Sequence, residues 1–473
     1  MRRSLRIALL GLAGLGLAGC DLAPAYHVPV VMTPDHYKES GAWQPVHPAD
    51  DQPRGDWWRG FHDQTLDRLE GELAQASPTL ALAVAAHDRA SALAEEAGAE
   101  LYPQVGMAGA LSNNRQSDHR PLRSSNQPSV YGANTVAAGA SYELDLWGRV
   151  HNLAAEGVAE EQASAADLES VRLSLRTELA DAYVRLREDD QQLALLDQTV
   201  AAYDKALRLT RTRFNGKITS ALDVAQAENQ LAAVQSRQAD LKGQRALLEH
   251  AIAVLVGKSP SLFSLPAQVD DLPLPAIAPA IPSRLLQRRP DVAAAERRMA
   301  AANDAIGVAR AAYFPNFTLN LLGGFQDTAV NMLTLPDRIW AVGPGVDLPI
   351  FDGGKLDGQL AEKKALFVEA SQSYRAVALQ AFREVEDAQA QLRSLTQALT
   401  QEETARQAAH KELSLSQTLY VQGVNSYLDV VVSQVAALDA DRAVITLKAR
   451  LRQADIALIR AIGGAAGPSL PAV

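Results

Sequence analysis

Arg213-Phe214-Asn215-Gly216-Lys217-Ile218-Thr219-Ser220-Ala221-Leu222-Asp223-Val224 recurs, 206 residues later, as Leu419-Tyr420-Val421-Gln422-Gly423-Val424-Asn425-Ser426-Tyr427-Leu428-Asp429-Val430. Val256-Gly257 falls on Ile462-Gly463 at the same offset. Thr79-Leu80 through Tyr102-Pro103-Gln104 falls on Asp291-Val292 through Phe314-Pro315-Asn316 at an offset of 212, with Pro78 on Pro290. Self-similarity over such spans marks an internal duplication. The 473 residues therefore read as two repeats, 63–258 and 283–464, joined by a connector over 259–282. Six prolines from Pro260 to Pro282 predict that the connector is extended.

Each repeat has the same internal order: a first helix (about 64–100 and 284–312), β-rich segments, a very long helix, a tight turn and a second helix. The long helix expected over about 150–214 carries Leu168, Val171, Leu175, Leu179, Ala182, Leu186, Leu193, Leu196, Val200, Tyr203, Leu207 and Phe214. The steps are almost all three or four, which is a coiled-coil seam. Its counterpart over about 356–420 repeats the pattern at Ala378, Ala381, Val385, Ala388, Leu392, Leu395 and Leu399. From Asn152 to Phe214 such a helix is ~95 Å long at ~1.5 Å per residue. Charges on its other faces predict a rod standing in water. The second helices are expected over about 221–256 and 427–462, each opened by an S-x-x-D capping box, Ser220 with Asp223 and Ser426 with Asp429.

Four segments alternate as strands: about 104–114, 134–147, 316–326 and 339–351. Phe317, Leu319, Leu321 and Phe325 share one face against Thr318, Asn320 and Gln326. Val136, Ala138, Ala140, Tyr142, Leu144 and Leu146 oppose Ser141, Glu143 and Asp145, and Trp340, Val342, Val346, Leu348 and Ile350 oppose Asp347. Strands of this length, apolar outside and polar inside, match those that cross an outer membrane. Glu143, Asp145 and Asp347 are then candidates for a lumen-facing acidic set with a mild preference for cations. Soluble hairpins packed on the helices are the alternative.

Forty-five basic and fifty-five acidic residues give a net charge of −10, and loss of Arg2, Arg3 and Arg6 with a leader takes it to −13. That balance disfavours nucleic acid or an anionic membrane surface as the main partner. The basic start and the apolar run Ile7 to Ala18 read as a signal peptide over 1–19, too short for a stable membrane anchor. Leu17-Ala18-Gly19-Cys20 is a lipoprotein cleavage box, so Cys20, the only cysteine, is expected to carry a covalent lipid. An N-terminal extended segment over 20–62 and a tail over 465–473 complete the domain plan. The nine histidines lie at least nine residues apart, so no helix carries metal ligands at i and i+4, and no metal site, cofactor or catalytic constellation is expected.

At this point the chain resembles the TolC/OprM-like outer-membrane efflux proteins, in their NodT-type lipoprotein branch. The matching residues are Leu17-Ala18-Gly19-Cys20 with Pro24-Ala25-Tyr26, Trp57-Trp58-Arg59-Gly60-Phe61, and Arg288-Arg289-Pro290-Asp291-Val292 through Arg298. Ala312-Tyr313-Phe314-Pro315-Asn316 and Gly345-Val346-Asp347-Leu348-Pro349-Ile350-Phe351-Asp352-Gly353-Gly354 match as well. The resemblance implies a mainly α protein with a membrane β-barrel. Three chains, a homotrimer, would each give four strands to a 12-stranded outer-membrane barrel and their helices to a periplasmic α-barrel. It further implies a passive duct in a tripartite efflux system. The implied partners are a periplasmic adaptor (membrane fusion) protein and an inner-membrane transporter of RND type, with outer-membrane lipid around the barrel.

In the family, residues matching Tyr420, Asp223 and Asp429 hold the periplasmic entrance closed through hydrogen bonds between helices. The arginine that joins them in some members is Asn425 here, which implies a neutral lock. The turns at Asn215, Gly216 and Gly423 are implied to meet the adaptor, although Gly216 lies one place early for the family spacing. Asp21 follows the lipidated cysteine, where an enterobacterial chain would tend to stay in the inner membrane; the barrel argues for the outer one. A lipid-anchored periplasmic coiled-coil scaffold or adaptor, or a duct for type I protein secretion, are the competing functions. The strands discriminate the scaffold, which would leave the membrane once Cys20 was replaced.

Overall fold

A computed structural model gives the fold over residues 21–28, 38, 55–117, 119, 128–273, 288–329 and 333–464. The elements are α1 (Gln64–Ala76), α2 (Pro78–Ala99), β1 (Gln104–Arg115), β2 (Val130–Leu144), α3 (Arg149–Asn215), α4 (Ala221–Leu255), α5 (Pro290–Ala311), β3 (Asn316–Asp327), β4 (Arg338–Asp347), α6 (Lys355–Val421) and α7 (Tyr427–Ala461). The duplication is carried into the backbone. α2 and α5, and β1 and β3, begin and end at the 212 offset, whereas α3 and α6, and α4 and α7, begin and end at the 206 offset. The change of offset is absorbed between the first strand of each hairpin and the helix that follows its second strand. Both long helices have 67 residues, about 100 Å each at ~1.5 Å per residue, and both return helices have 35.

The chain forms two compact units. The first comprises Met1–Val30, Ala86–Ala165 and Ala294–Arg375, and the second Val31–Ala85, Ala166–Ala293 and Ala376–Val473. Each draws on both repeats, so the sequence repeats are not the compact bodies. The strands of the first unit form one antiparallel meander, β1-β2-β3-β4. Gly109 faces Val136, Val136 faces Phe325, and Leu321 faces Val342 across the three ladders. β1 and β4 are edges, which suits Pro344, a residue with no N–H to give a ladder. Side chains remain open on the sheet: Val105, Met107, Trp340 and Val346 are all more than 60 % exposed.

Several boundaries differ from the sequence expectation, each for a local reason. The first helix of repeat one is broken at Ser77, because Pro78 lacks the N–H that a continuous helix needs and starts α2 instead. β2 starts at Val130 rather than 134, since Val130, Tyr131, Gly132 and Ala133 pair with Arg115, Asn114, Asn113 and Ser112 of β1. It stops at Leu144 rather than 147, since Asp145 leaves the ladder to accept the N–H of His151 at the start of α3 (2.8 Å). β4 ends at Asp347, before Pro349, rather than at 351. In the segment expected to be extended over 20–62, Trp57–Phe61 is a 3-10 turn.

The core of the second unit is built from that turn. Trp57, Trp58 and Phe61 pack with Leu69 of α1, Leu179 of α3 and Ile459 of α7. The α3 ladder points inward as its spacing required, with Leu179, Leu186, Leu196 and Leu207 all at most 6 % exposed. At the end of α4, Gly257 (φ 71°) is left-handed, and a Cβ there would lie 2.1 Å from the carbonyl of Ala76.

The described part of the connector departs from the fully extended expectation, opening with a 3-10 turn at Pro260–Leu262 where Pro260 takes the first position; the chain beyond it is fastened. Leu265 donates to Glu249 (2.9 Å) and Gln268 to Asp190 (3.1 Å). Arg187 donates to the Pro266 carbonyl (3.0 Å), Arg245 to that of Leu265 (2.8 Å) and Arg452 to that of Leu272 (2.7 Å). Its carboxylate anchor is Asp190, whose side chain is fully buried between Arg187 (2.7 Å) and Arg245 (2.6 Å).

Candidate functional site

The repeated turns within 213–224 and 419–430 lie in the second unit and close in the same way. Gly423 donates to the Tyr420 carbonyl (3.0 Å) and Val424 to that of Leu419 (2.9 Å), a Schellman end for α6. Lys217 donates to Phe214 (2.9 Å) and Ile218 to Arg213 (2.8 Å), the same end for α3. The left-handed residue is Gly423 (φ 77°) in one turn and Lys217 (φ 60°) in the other. Gly216 therefore does not play the part of Gly423; its N–H bonds back to Thr212 (3.0 Å) and Asn215 is the last helical residue. In the turns and on the adjoining helix ends stand Ile218, Leu222, Val421, Val424 and Leu428, all more than half exposed. The sequence reading passed over these apolar residues, although their clustering around a polar turn was visible.

Both capping boxes are formed. Ser220 accepts the Asp223 N–H (3.2 Å) while Asp223 accepts the Ser220 N–H (3.3 Å) and the Thr219 hydroxyl. Asp429 accepts the N–H (3.0 Å) and hydroxyl (2.9 Å) of Ser426. These bonds satisfy free N–H groups at the positive end of α4 and α7. Among the described residues the Tyr420 hydroxyl, itself buried, has no hydrogen-bond partner. Its ring instead lies 5.5 Å from the ring of Tyr427, in a cluster with Leu207, Ala227, Val430 and Val431. The guanidinium of Arg213 covers it from α3, 4.6 Å from the ring centroid.

Two of the three acids read as a lumen-facing set bond to the start of α3 in the first unit. Glu143 accepts two bonds from Arg149 (both 2.7 Å), and Asp145 accepts the N–H (2.8 Å) of His151 and contacts its ring (2.7 Å). They fasten β2 to the first turn of α3, where a carboxylate also meets the positive helix end. Asp347, at the end of β4, is exposed.

Cys20 lies outside the described residues, but the chain next to it is held. Asp21 accepts from Asn152 (3.0 Å), Leu22 from Arg310 (3.0 Å) and Pro24 from Asn303 (2.9 Å), while Tyr26 donates to Glu296 (2.6 Å). Pro290 opens α5 as its fixed φ favours. In the second unit Arg289, almost wholly buried, donates two hydrogen bonds to Asp291 (3.0 and 2.6 Å) and one to Glu384 (2.6 Å). Among the described residues no three His, Cys, Asp or Glu side chains gather as metal ligands, and no helix is long and apolar enough to cross a membrane.

The chain thus carries a four-stranded antiparallel sheet with open faces, two helices of 67 residues and two return helices of 35. The outer membrane efflux protein family matches residues 69–258 and again 281–464, one match per repeat. The chain belongs to that family. It is 30% identical over 453 residues to the outer membrane protein OprJ of Pseudomonas aeruginosa, covering 94% of this chain and 92% of that protein. It is 28% identical over 447 residues to the probable efflux pump outer membrane protein TtgC of Pseudomonas putida, with the same coverages. The solved outer-membrane channel OprN superposes with a TM-score of 0.87 at 26% identity, covering 95% of this chain and 100% of that one. This efflux protein is thus an outer-membrane channel component that extends into the periplasm, with the helical and β-barrel fold of its relatives. The family is one of channels, not enzymes.

Proposed function

We propose that three copies of this efflux protein form one duct, in which β1 of each copy pairs with β4 of the next to close a 12-stranded barrel. The observation that carries this is the pair of unpartnered edges on a four-stranded sheet. In lipid every backbone N–H and C=O must be paired, so only closure satisfies β1 and β4. The helices of the three copies then line a periplasmic conduit, and the repeats 63–258 and 283–464 supply equivalent staves of it. Cys20, exposed by removal of 1–19, carries the lipid of a NodT-type lipoprotein. The fastening of residues 21–26 to α3 and α5 supports an anchor in a fixed position.

The duct works passively with a periplasmic adaptor and an inner-membrane transporter of RND type, exporting small solutes. The apolar tips, Ile218, Val421 and Val424, with the turns at Asn215, Gly216 and Gly423, are the surface for the adaptor. Tyr420, Asp223 and Asp429 form the entrance gate. The packing of the Tyr420 ring under Arg213 and against Tyr427, beside the capped Asp223, supports a place for it in the gate. Six carboxylates from three copies would ring the mouth and favour cations.

Single-channel recording in planar bilayers tests this reading. Tyr420→Phe combined with Asp223→Ala should form stable trimers of higher conductance, and cells carrying it should become more sensitive to large antibiotics. Stable trimers with unaltered conductance and cation preference would reduce these residues to caps and core.

A further inference from the structure

Arg213 was not singled out as a functional residue by its sequence, yet its side chain and backbone meet two parts of the entrance. Its carbonyl accepts the Ile218 N–H that closes the α3 turn (2.8 Å), while its guanidinium lies 4.6 Å from the centroid of the Tyr420 ring. The ring also packs against Tyr427, whose centroid is 5.5 Å away and which is only 5 % exposed. The Tyr420 hydroxyl has no hydrogen-bond partner among the described residues, so its contact with Arg213 on the last turn of α3 is made through the face of the ring. A planar guanidinium suits that face, because it stacks and is more weakly hydrated than an ammonium.

The duplication supplies an internal control. At the 206 offset Arg213 corresponds to Leu419 and Phe214 to Tyr420. The second repeat therefore has no cation at the matching place, and the Phe214 ring is 43 % exposed. One stack per chain, from α3 onto α6, is present where perfect symmetry would give two.

We propose that Arg213 is a positioning residue of the entrance, holding α6 against α3 in the closed arrangement through its stack on Tyr420. The proposal rests on the reading of Tyr420 as part of the gate. Opening that separates the two helix ends has to break this stack. A cation on an aromatic face shifts such a balance by roughly 2- to 30-fold.

Conductance of the purified full-length protein in planar bilayers, with trimers verified for every variant, tests it. Arg213→Gln should raise the open fraction at least about 2-fold, and Arg213→Lys should raise it less. The effect of Arg213→Gln should persist beside Tyr420→Phe, which keeps the ring, and vanish beside Tyr420→Leu, which removes it. If Arg213→Gln changes nothing while Tyr420→Leu opens the channel, the stack is overturned and the gate stands. If Arg213→Gln opens the channel equally beside Tyr420→Leu, Arg213 acts elsewhere and the proposal is wrong. If neither change alters conductance, the gate reading itself fails. Should Arg213→Gln give no trimers, Arg213→Lys is read by the same comparisons.

Discussion

Lys217 and Gly423 hold the same left-handed position in two copies of one turn, at φ 60° and φ 77°. A residue with a Cβ is disfavoured there by roughly 1–2 kcal/mol, partly offset by the chain entropy that glycine loses on folding. Lys217→Gly should therefore stabilise the α3 turn by about 0.5–1 kcal/mol, read as about 2- to 5-fold slower hydrogen exchange of the turn amides. Gly423→Lys should loosen the α6 turn by a similar amount. A Cβ at Gly423 meets nothing within 4 Å, so trimers should persist while cross-linking to the adaptor weakens. Loss of the trimer would show that this glycine serves assembly instead.

The connector is held by buried charge. Asp190→Ala leaves Arg187, 2 % exposed, and its neighbour Arg245 without their shared carboxylate. Breaking such a buried pair costs about 3–5 kcal/mol. The thermal midpoint of the helical signal should fall, and proteolysis between Leu265 and Leu272 should quicken. An unchanged digestion pattern would mean that the backbone contacts of the connector hold it unaided.

Two buried carboxylates make the second unit sensitive to pH. Burial, with Glu188 and Asp190 nearby, pushes Asp189 up to about 7 against the pull of Arg245, and burial pushes Asp455 up to about 7 despite Arg452. Their unfolded values lie near ~3.9. The folded state therefore binds more protons than the unfolded chain between about pH 4 and pH 7, and stability from these groups is lost as pH rises through about 7. Thermal melts of Asp189→Asn and Asp455→Asn should show higher midpoints than the parent at pH 8, by the equivalent of about 1–3 kcal/mol, and little change at pH 4. Equal shifts at both values would contradict the titration.

The anchor is separable from the barrel. Cys20→Ser should abolish palmitate labelling and leave an uncleaved or differently cleaved precursor, while the protein stays in the outer membrane and export falls only partly. Labelling that persists in the variant would place the lipid elsewhere.

Much of the fold was legible because it is periodic. The α3 seam announced its buried face at Leu179, Leu186 and Leu196, and the offsets of 212 and 206 located both copies of nearly every element. Site details were harder, because they depend on contacts between residues far apart in the chain. Glu143 and Asp145 alternate correctly for an inward face, but the sequence cannot say that Arg149 and His151 turn back to meet them. The connector fastening left one trace, a seam that jumps from Leu186 to Leu193 across Asp189 and Asp190. Arg213 left none, since its partner Tyr420 is 207 positions away. Cys20, the residue whose context was most specific, lies outside the described part of the chain.

The central claim is that one chain is a third of a duct. Native mass spectrometry of the full-length protein in detergent measures this directly, without reference to any substrate or partner. The account predicts a complex of three chains that resists sodium dodecyl sulfate until heated. A stable particle of one or two chains, with the edges β1 and β4 left open, would contradict it.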